Sequence, residues 1–277
     1  MSKTFLITGV STGLGRAFAQ AALDAGHTVT GTVRSPAQAS EFEALVPGRA
    51  HGLVLDITDE AAVPAAIERA ANAAGPVDVL INNAGYGVEG TFEETPADVY
   101  RQQFEVNVFG TVAVTRAVLP SMRQRRAGTI VFVTSMGGLR AFPGLSAYHG
   151  SKYAIEGIAD SLRQELSGFG IHVMCVEPGG FRTDWAGRSM TRVERSVPDY
   201  DELFNPIREN RLGYSGKQLG DPAKAGAALL TALGSATPPG HLLLGSDALH
   251  LVRAARSEAD SEFDTWEKLS ASTDFTE

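Results

Sequence analysis

What most constrains this chain is an alternation that runs almost its whole length. Short β-branched or apolar runs at residues 3–8, 27–33, 50–55, 77–81, 128–134, 171–176 and 241–244 are separated by longer segments with helical spacing. Strand–helix alternation with short connections predicts repeated βαβ units, which place the strands in a parallel sheet covered by helices on both faces. Punctuation residues agree. Gly26 follows a helical segment where a C-terminal glycine belongs, and Thr95-Pro96 and Asp221-Pro222 each set a capping residue before a proline suited to the first helical position. The single long interruption, residues 180–220, is expected to form a lid over a site, because structureless connections of that length are usually functional.

Bulk properties narrow the class. The 277 residues are 43% hydrophobic and 20% charged, enough for one full core. With 24 basic against 32 acidic residues, the net charge is −8, which argues against nucleic acid or an anionic membrane as the main partner. No run approaches the roughly 20 apolar residues of a membrane span, and the N-terminal stretch lacks a signal-peptide pattern, so the expected location is cytoplasmic. A lone cysteine, Cys175, excludes an internal disulfide framework and is read as a small core residue. No linker or repeat divides the chain. Residues 1–245 are expected to form one dinucleotide-binding catalytic domain, and 246–277 a helical extension. That extension carries Leu249, Leu251, Val252, Phe263, Trp266 and Leu269 among many acids. It reads as an amphipathic helix packed on the same domain, with a dimer contact as the second reading.

The first predicted strand ends in Thr8-Gly9-Val10-Ser11-Thr12-Gly13-Leu14-Gly15 and runs into a helix. A glycine-rich strand-to-helix turn lets the backbone approach a pyrophosphate whose charge meets the helix N-terminus. The second strand should then end in an acidic residue if the adenosine ribose carries free hydroxyls. Here it ends in Arg34, and between Gly15 and Glu41 the only acid is Asp24, inside the first helix. A guanidinium in place of a carboxylate suits a 2′-phosphate, with Ser11 able to add a hydroxyl, so NADP is expected over NAD.

Further along, Tyr148 and Lys152 stand four residues apart, one helical turn, with Ser135 thirteen residues upstream of the tyrosine. An ammonium beside a phenol favours phenolate, so Lys152 is expected to lower the Tyr148 pKa toward working pH. Hydride transfer to a ketone builds negative charge on its oxygen. Ser135 would steady that oxygen and Tyr148 would deliver the proton. His149, turned about 100° around the helix from Tyr148, is read as structural or loosely substrate-adjacent.

Taken together, these motifs resemble the short-chain dehydrogenase/reductase family in its compact branch, over residues 3 to about 245. Asp56-Ile57-Thr58, Asn82-Asn83-Ala84-Gly85, Asn107, Ser135, Tyr148 with Lys152, and Pro178-Gly179 followed by Thr183 stand in the family's order. The resemblance implies a single-domain, doubly wound, Rossmann-like α/β fold of seven parallel strands. It further implies that Gly9, Ser11, Thr12, Gly13, Leu14 and Gly15 line the pyrophosphate, and that Asp56 and Ile57 contact adenine. Asn83, Ala84 and Gly85 would follow the adenosine ribose, while Pro178, Gly179 and Thr183 hold the nicotinamide end. Lys152 would also bind the nicotinamide ribose, and Asn107 would support a water chain from the lysine to solvent. Read without the family, Asn82–Gly85 is a turn signal and Asp56 a helix cap.

The expected activity is NADP(H)-linked interconversion of a carbonyl and a secondary alcohol, with no metal. The substrate is expected to be a hydrophobic ketone or aldehyde, of an aromatic, alicyclic, steroid-like or retinoid-like kind, because Met136, Leu139, Phe142, Leu145, Trp185, Met190, Tyr200, Phe204 and Ile207 surround the predicted site. Arg182, Arg188, Arg192 and Arg195 are expected on a solvated lid face, with a carboxylate on the substrate as the second reading of what they meet. A rival reading is a non-catalytic dinucleotide sensor or scaffold, which would be expected to lose the tyrosine or the lysine. An epimerase or dehydratase would need a larger C-terminal domain. The tail after residue 245 departs from the usual tetramer-forming end, leaving a monomer or homodimer.

Overall fold

A computed structural model describes residues 2–275, so positions 276–277 of the expected extension lie outside the described residues. Nine strands and nine α-helices follow one another among them. In order they are β1 (Thr4–Ile7), α1 (Gly13–Asp24), β2 (Thr28–Val33), α2 (Pro36–Glu43), β3 (Ala50–Val54) and α3 (Val63–Ala74). Next come β4 (Val79–Asn82), β5 (Gly87–Glu89), α4 (Ala97–Phe104), α5 (Thr111–Arg125), β6 (Gly128–Val133) and α6 (Ser146–Leu166). The chain continues through β7 (Ile171–Pro178), β8 (Met190–Arg192), α7 (Asp201–Tyr214), α8 (Pro222–Leu233), β9 (His241–Leu244) and α9 (Ser246–Ala271).

Seven strands form one parallel sheet in the order β3-β2-β1-β4-β6-β7-β9. This is the doubly wound sheet expected, and the switch point between β1 and β4 opens the crevice where ligands bind in such folds. Alternation along each strand feeds two cores. Phe5 and Ile7 face α1 and α8 through Phe18, Ala22 and Leu229, while Leu6 faces the opposite layer with Ile67, Val114 and Ile155. Helices α1 and α8 pack closely because Gly226 carries no Cβ. One placed there would stand 2.8 Å from the Ala21 Cβ. None of the described helices is long and apolar enough to cross a membrane.

Three local expectations change. The Asp221 side chain caps α8 by accepting from the Ala223 N–H at 2.9 Å, as read, but Thr95 does not cap α4. Pro96 is extended at the cap position, and the Thr95 hydroxyl donates instead to the Thr91 carbonyl at 2.7 Å. The long interruption is not structureless. It holds α7 and also β8, which pairs in parallel with β5 as a separate two-stranded sheet. Both strands are three residues long, too short for a periodicity to register. Finally, α9 packs on the domain only through its first two turns, where Ala248 and Val252 are buried, and every described residue from Asp260 onward is exposed.

Candidate active site

The glycine turn after β1 is shaped by backbone demands that only glycine meets cheaply. Gly9 and Gly13 have φ of +74° and +63°, in the left-handed region. A Cβ on Gly15 would run into the Asn83 amide and the Gly9 carbonyl. Asn83 therefore has a second task beyond the ribose edge expected of it. Its amide donates to the carbonyls of Thr8 at 2.9 Å and Gly9 at 3.0 Å, and the Thr8 hydroxyl accepts from the backbone N–H groups of Asn83 and Ala84. The end of β4 thus braces the turn.

At the start of α1, Thr12 is extended and no side chain caps the first N–H groups, while Ser11 and Thr12 are exposed and Leu14 packs inward. Across the cleft, Thr183 Cβ lies 3.8 Å from where a Gly13 Cβ would be. An uncapped helix N-terminus behind a cradle of small residues fits a pyrophosphate. Arg34 is exposed at the end of β2 and makes no ion pair among the described residues, so its guanidinium is available to a phosphate. Asp56 accepts from Thr58 through both its N–H, at 3.0 Å, and its hydroxyl, at 2.8 Å, and these bonds hold its carboxyl below the usual range. Ile57 is buried against Gly110.

The corner after β7 depends on a residue the motifs did not single out. Asp247, in the first turn of α9, accepts from the Gly180 N–H at 2.7 Å, and a Cβ on Gly179 would collide with its carboxylate. The Gly179 N–H donates to the Leu244 carbonyl at 2.8 Å, which ties Pro178 and Gly179 to β9. The signal was present: an acid in the first turn of a helix following the last strand.

The catalytic candidates meet at the C-terminal ends of β4 and β6. Ser135 is extended just past β6, and its hydroxyl accepts from the Gly137 N–H at 3.0 Å. Tyr148 and Lys152 lie on one face of α6 and are only 7% and 8% exposed. Lys152 Nζ donates to the Val133 carbonyl at 2.9 Å and lies 5.8 Å from the centre of the Tyr148 ring. Asn107 sits in a π-helical stretch (Glu105–Gly110) between α4 and α5, a widening often found at functional sites. Its amide nitrogen donates to Tyr86 O at 3.1 Å and to Ser151 Oγ at 3.0 Å, while its oxygen accepts from the Tyr86 N–H. Gly85 joins the group because a Cβ there would stand 3.0 Å from Asn107 Oδ1 and 3.8 Å from Lys152 Nζ. All four catalytic candidates are thus brought together.

Their electrostatics differ from the sequence expectation. Burial pushes the Tyr148 phenol up to about 12, with the neighbouring Ser135 hydroxyl pulling the other way. Burial also lowers Lys152 to about 8, against the opposing pull of Glu156. In this state burial of the phenol, only 7% exposed, outweighs what pulls it down.

The lid side also required correction. Trp185 packs on Tyr148, ring centres 5.1 Å apart, and Leu145 and Met190 complete a small apolar cluster around the tyrosine. Phe204 is instead fully buried beneath the lid, and the Tyr200 hydroxyl donates to Glu93 at 2.9 Å. The lid arginines are mostly latches rather than a solvated face. Arg192, Arg208 and Arg211 surround the fully buried Glu89 on β5 at 3.8, 2.6 and 3.5 Å. Arg195 pairs with Glu94 at 2.9 Å, and Glu94 also accepts from the Ser196 and Val197 N–H groups. Burial opposes ionisation of Glu94, but these donors together with Thr91 win and hold it down to about 2. Arg182 donates to the Gln218 carbonyl, leaving only Arg188, paired with Asp184, as expected on the solvated face.

The short chain dehydrogenase family model matches residues 3–193. An oxidoreductase of the fungus Botryotinia fuckeliana, BOA17, is 39% identical over 98% of both chains. An NADPH-dependent 3-dehydrocapnine reductase of Ornithobacterium rhinotracheale is 36% identical over 72% of this chain and 73% of its own. Among solved structures, a short-chain dehydrogenase from Streptomyces avermitilis is 41% identical, covers 99% of this chain and 98% of its own, and superposes with a TM-score of 0.92.

Proposed function

Because the chain belongs to the short-chain dehydrogenase family, and is an oxidoreductase of that family, we propose that it catalyses NADPH-linked reduction of an apolar ketone or aldehyde. The observation that carries this reading is the meeting of Ser135, Tyr148, Lys152 and Asn107 around one cleft, next to a glycine cradle whose ribose edge presents Arg34 and no acid. The cofactor supplies the hydride when bound. Its pyrophosphate is held by the α1 N-terminus and residues 9–15, its 2′-phosphate by Arg34 with Ser11, and its adenine by Asp56 and Ile57. Pro178, Gly179 and Thr183 hold the nicotinamide end. An NADPH-dependent reductase among the relatives points the same way.

The chain's own part is proton delivery and charge stabilisation. Ser135 orients the carbonyl oxygen, and Tyr148, whose pKa of about 12 keeps it protonated at working pH, acts as proton donor. Trp185, Leu145 and Met190 shape an apolar wall beside it and keep water from the developing alkoxide. Lys152 holds the tyrosine side of the cleft, and Asn107 connects that side to the Tyr86 carbonyl and Ser151. The partner is a small molecule, and the assembly is a homodimer formed through the overhanging part of α9.

The test is a cofactor-oxidation assay over a panel of apolar ketones and aldehydes, with NADPH and NADH in parallel. NADPH should give the higher kcat/KM. Tyr148→Phe should retain NADPH binding and lose roughly 10²–10⁴-fold in kcat, the range of a positioned general acid. Equal kcat/KM with NADH would refute the cofactor assignment, and near-normal turnover in a folded Tyr148→Phe would refute the mechanism.

A further inference from the structure

Outside the catalytic group, four metal-ligand side chains meet between α6 and the sheet edge. Cys175 and Glu177 project from the same face of β7, His241 stands opposite Cys175 in the β7–β9 register, and Glu156 reaches down from α6. One ligand atom from each lies within 4.8 Å of every other. Zinc bonds of about 2.0–2.3 Å imply ligand-to-ligand separations of about 3.3–3.8 Å, so the shell completes when the wider pairs close in and His241 Nδ1 draws back from Glu177 Oε1.

Two features mark this cluster as more than a buried acidic patch. The Glu177 side chain is fully buried, yet its Oε2 finds no hydrogen-bond partner, and the nearly buried Glu156 has only the Thr134 hydroxyl and the Cys175 thiol beside it. His241 Nδ1 stands 2.7 Å from Glu177 Oε1 and 3.6 Å from Glu156 Oε2, while its Nε2 stands 3.3 Å from Asp160 Oδ1. Asp160 is in turn held by Arg163 at 2.7 Å. His241 thus has carboxylates at both ring nitrogens, Asp160 outside at Nε2 and Glu177 with Glu156 inside at Nδ1, so its inner nitrogen faces the cluster. The order carboxylate–histidine–cation is the usual outer support of a metal-bound imidazole. Arg163 Nη1 also lies 3.4 Å from Nε2, but this guanidinium is already engaged by the Val173 and Gly240 carbonyls.

We propose that Glu156, Cys175, Glu177 and His241 bind one divalent ion of the zinc class. A thiolate, an imidazole and two carboxylates suit zinc or cobalt and disfavour magnesium or calcium, which prefer all-oxygen shells. His241, one-third exposed on the edge strand, provides the access route. The site shares no ligand with the proposed reaction, although Glu156 lies one turn beyond Lys152 on α6.

The full chain, stripped with chelator and then loaded with Zn²⁺ and gel-filtered, should retain one zinc per chain and show a raised Tm. Loading with Co²⁺ should give visible d–d bands together with a thiolate-to-cobalt charge-transfer band. Cys175→Ser should abolish the charge-transfer band, and His241→Ala should weaken binding at least 10-fold while leaving the metal-free circular dichroism spectrum unchanged. Substoichiometric zinc, or binding that survives both substitutions unchanged, overturns the proposal and leaves a carboxyl pair sharing protons. These readouts do not depend on turnover, so failure of the assigned reaction leaves them intact.

Discussion

His149 directly follows the tyrosine, yet its ring turns away and pins the loop that carries the serine. Its Nδ1 bonds the Gly137 carbonyl at 2.7 Å, and its Nε2 accepts from the Phe142 N–H at 2.9 Å. These two contacts require the neutral ring with its proton on Nδ1, and burial above all holds its pKa below the ordinary value. Replacing it with phenylalanine strands the buried Gly137 carbonyl, at about 1–3 kcal/mol, and leaves the half-buried Phe142 N–H without its acceptor. We expect His149→Phe to lower the Tm and raise KM about 10-fold with kcat largely retained. An unchanged thermal melt and KM would contradict this positioning role. At this scale the sequence was readable where residue type and spacing fix a position, as with the shared α6 face of Tyr148 and Lys152 and the glycines of the first turn. It was unreadable where a residue acts through a tertiary partner. Asn83 bracing the glycine turn, Asp247 holding the β7 corner and the burial that raises Tyr148 all depend on segments distant in the chain.

Among the elements, the lid is the one whose behaviour the ion pairs define. Two buried carboxylates, on β5 and just before α4, gather four arginines from the segment between β8 and the end of α7. Phe204 locks the same segment beneath it, flanked by Arg195 and Arg208, each 5.0 Å from the ring centre. The ring also occupies the place a Cβ on Gly144 would take, where φ is +76°. Glu94, held down to about 2, binds fewer protons folded than unfolded. Its contribution is therefore complete above the ordinary value of 4.5 and is lost as pH falls toward 2. Hydrogen exchange at pH 3 should show residues 193–200 opening before the central sheet. In Glu94→Gln the same segment should already exchange faster at pH 7, with a weaker acid dependence, whereas identical exchange in the two proteins would dismiss the latch. The sequence supplied the lid's position and length but not its fastening, because arginines spaced along a loop read as solvated until the acids they meet are known.

For the whole molecule, a parallel sheet covered on both faces was legible, because strands buried on both faces and amphipathic helices leave an unambiguous alternation, while its doubly wound form came with the family resemblance. Less legible was the last helix. Val252, Ala255 and Ala259 continue into Phe263 and Trp266 along one stripe, but the domain surface ends before the aromatics, which are 69% and 55% exposed. Between Asp247 near its start and Lys268 near its end, the basic His250, Arg253 and Arg256 come before Ser257 and the acidic Glu258, Asp260, Glu262, Asp264 and Glu267 after it. Two copies laid antiparallel set basic half against acidic half and cover the stripe, as an isologous two-fold contact does. Light scattering should accordingly give a dimer, and Phe263→Ser with Trp266→Ser a folded monomer; a wild-type monomer would discard the arrangement. The small β5–β8 sheet carries a different kind of consequence. By anchoring the inserted segment to β5 before α7 begins, it separates two rates of evolutionary change. Substitutions in α7 can remodel what the cleft admits while the strand register beneath stays fixed, so specificity can drift across descendants of this chain without the scaffold being renegotiated.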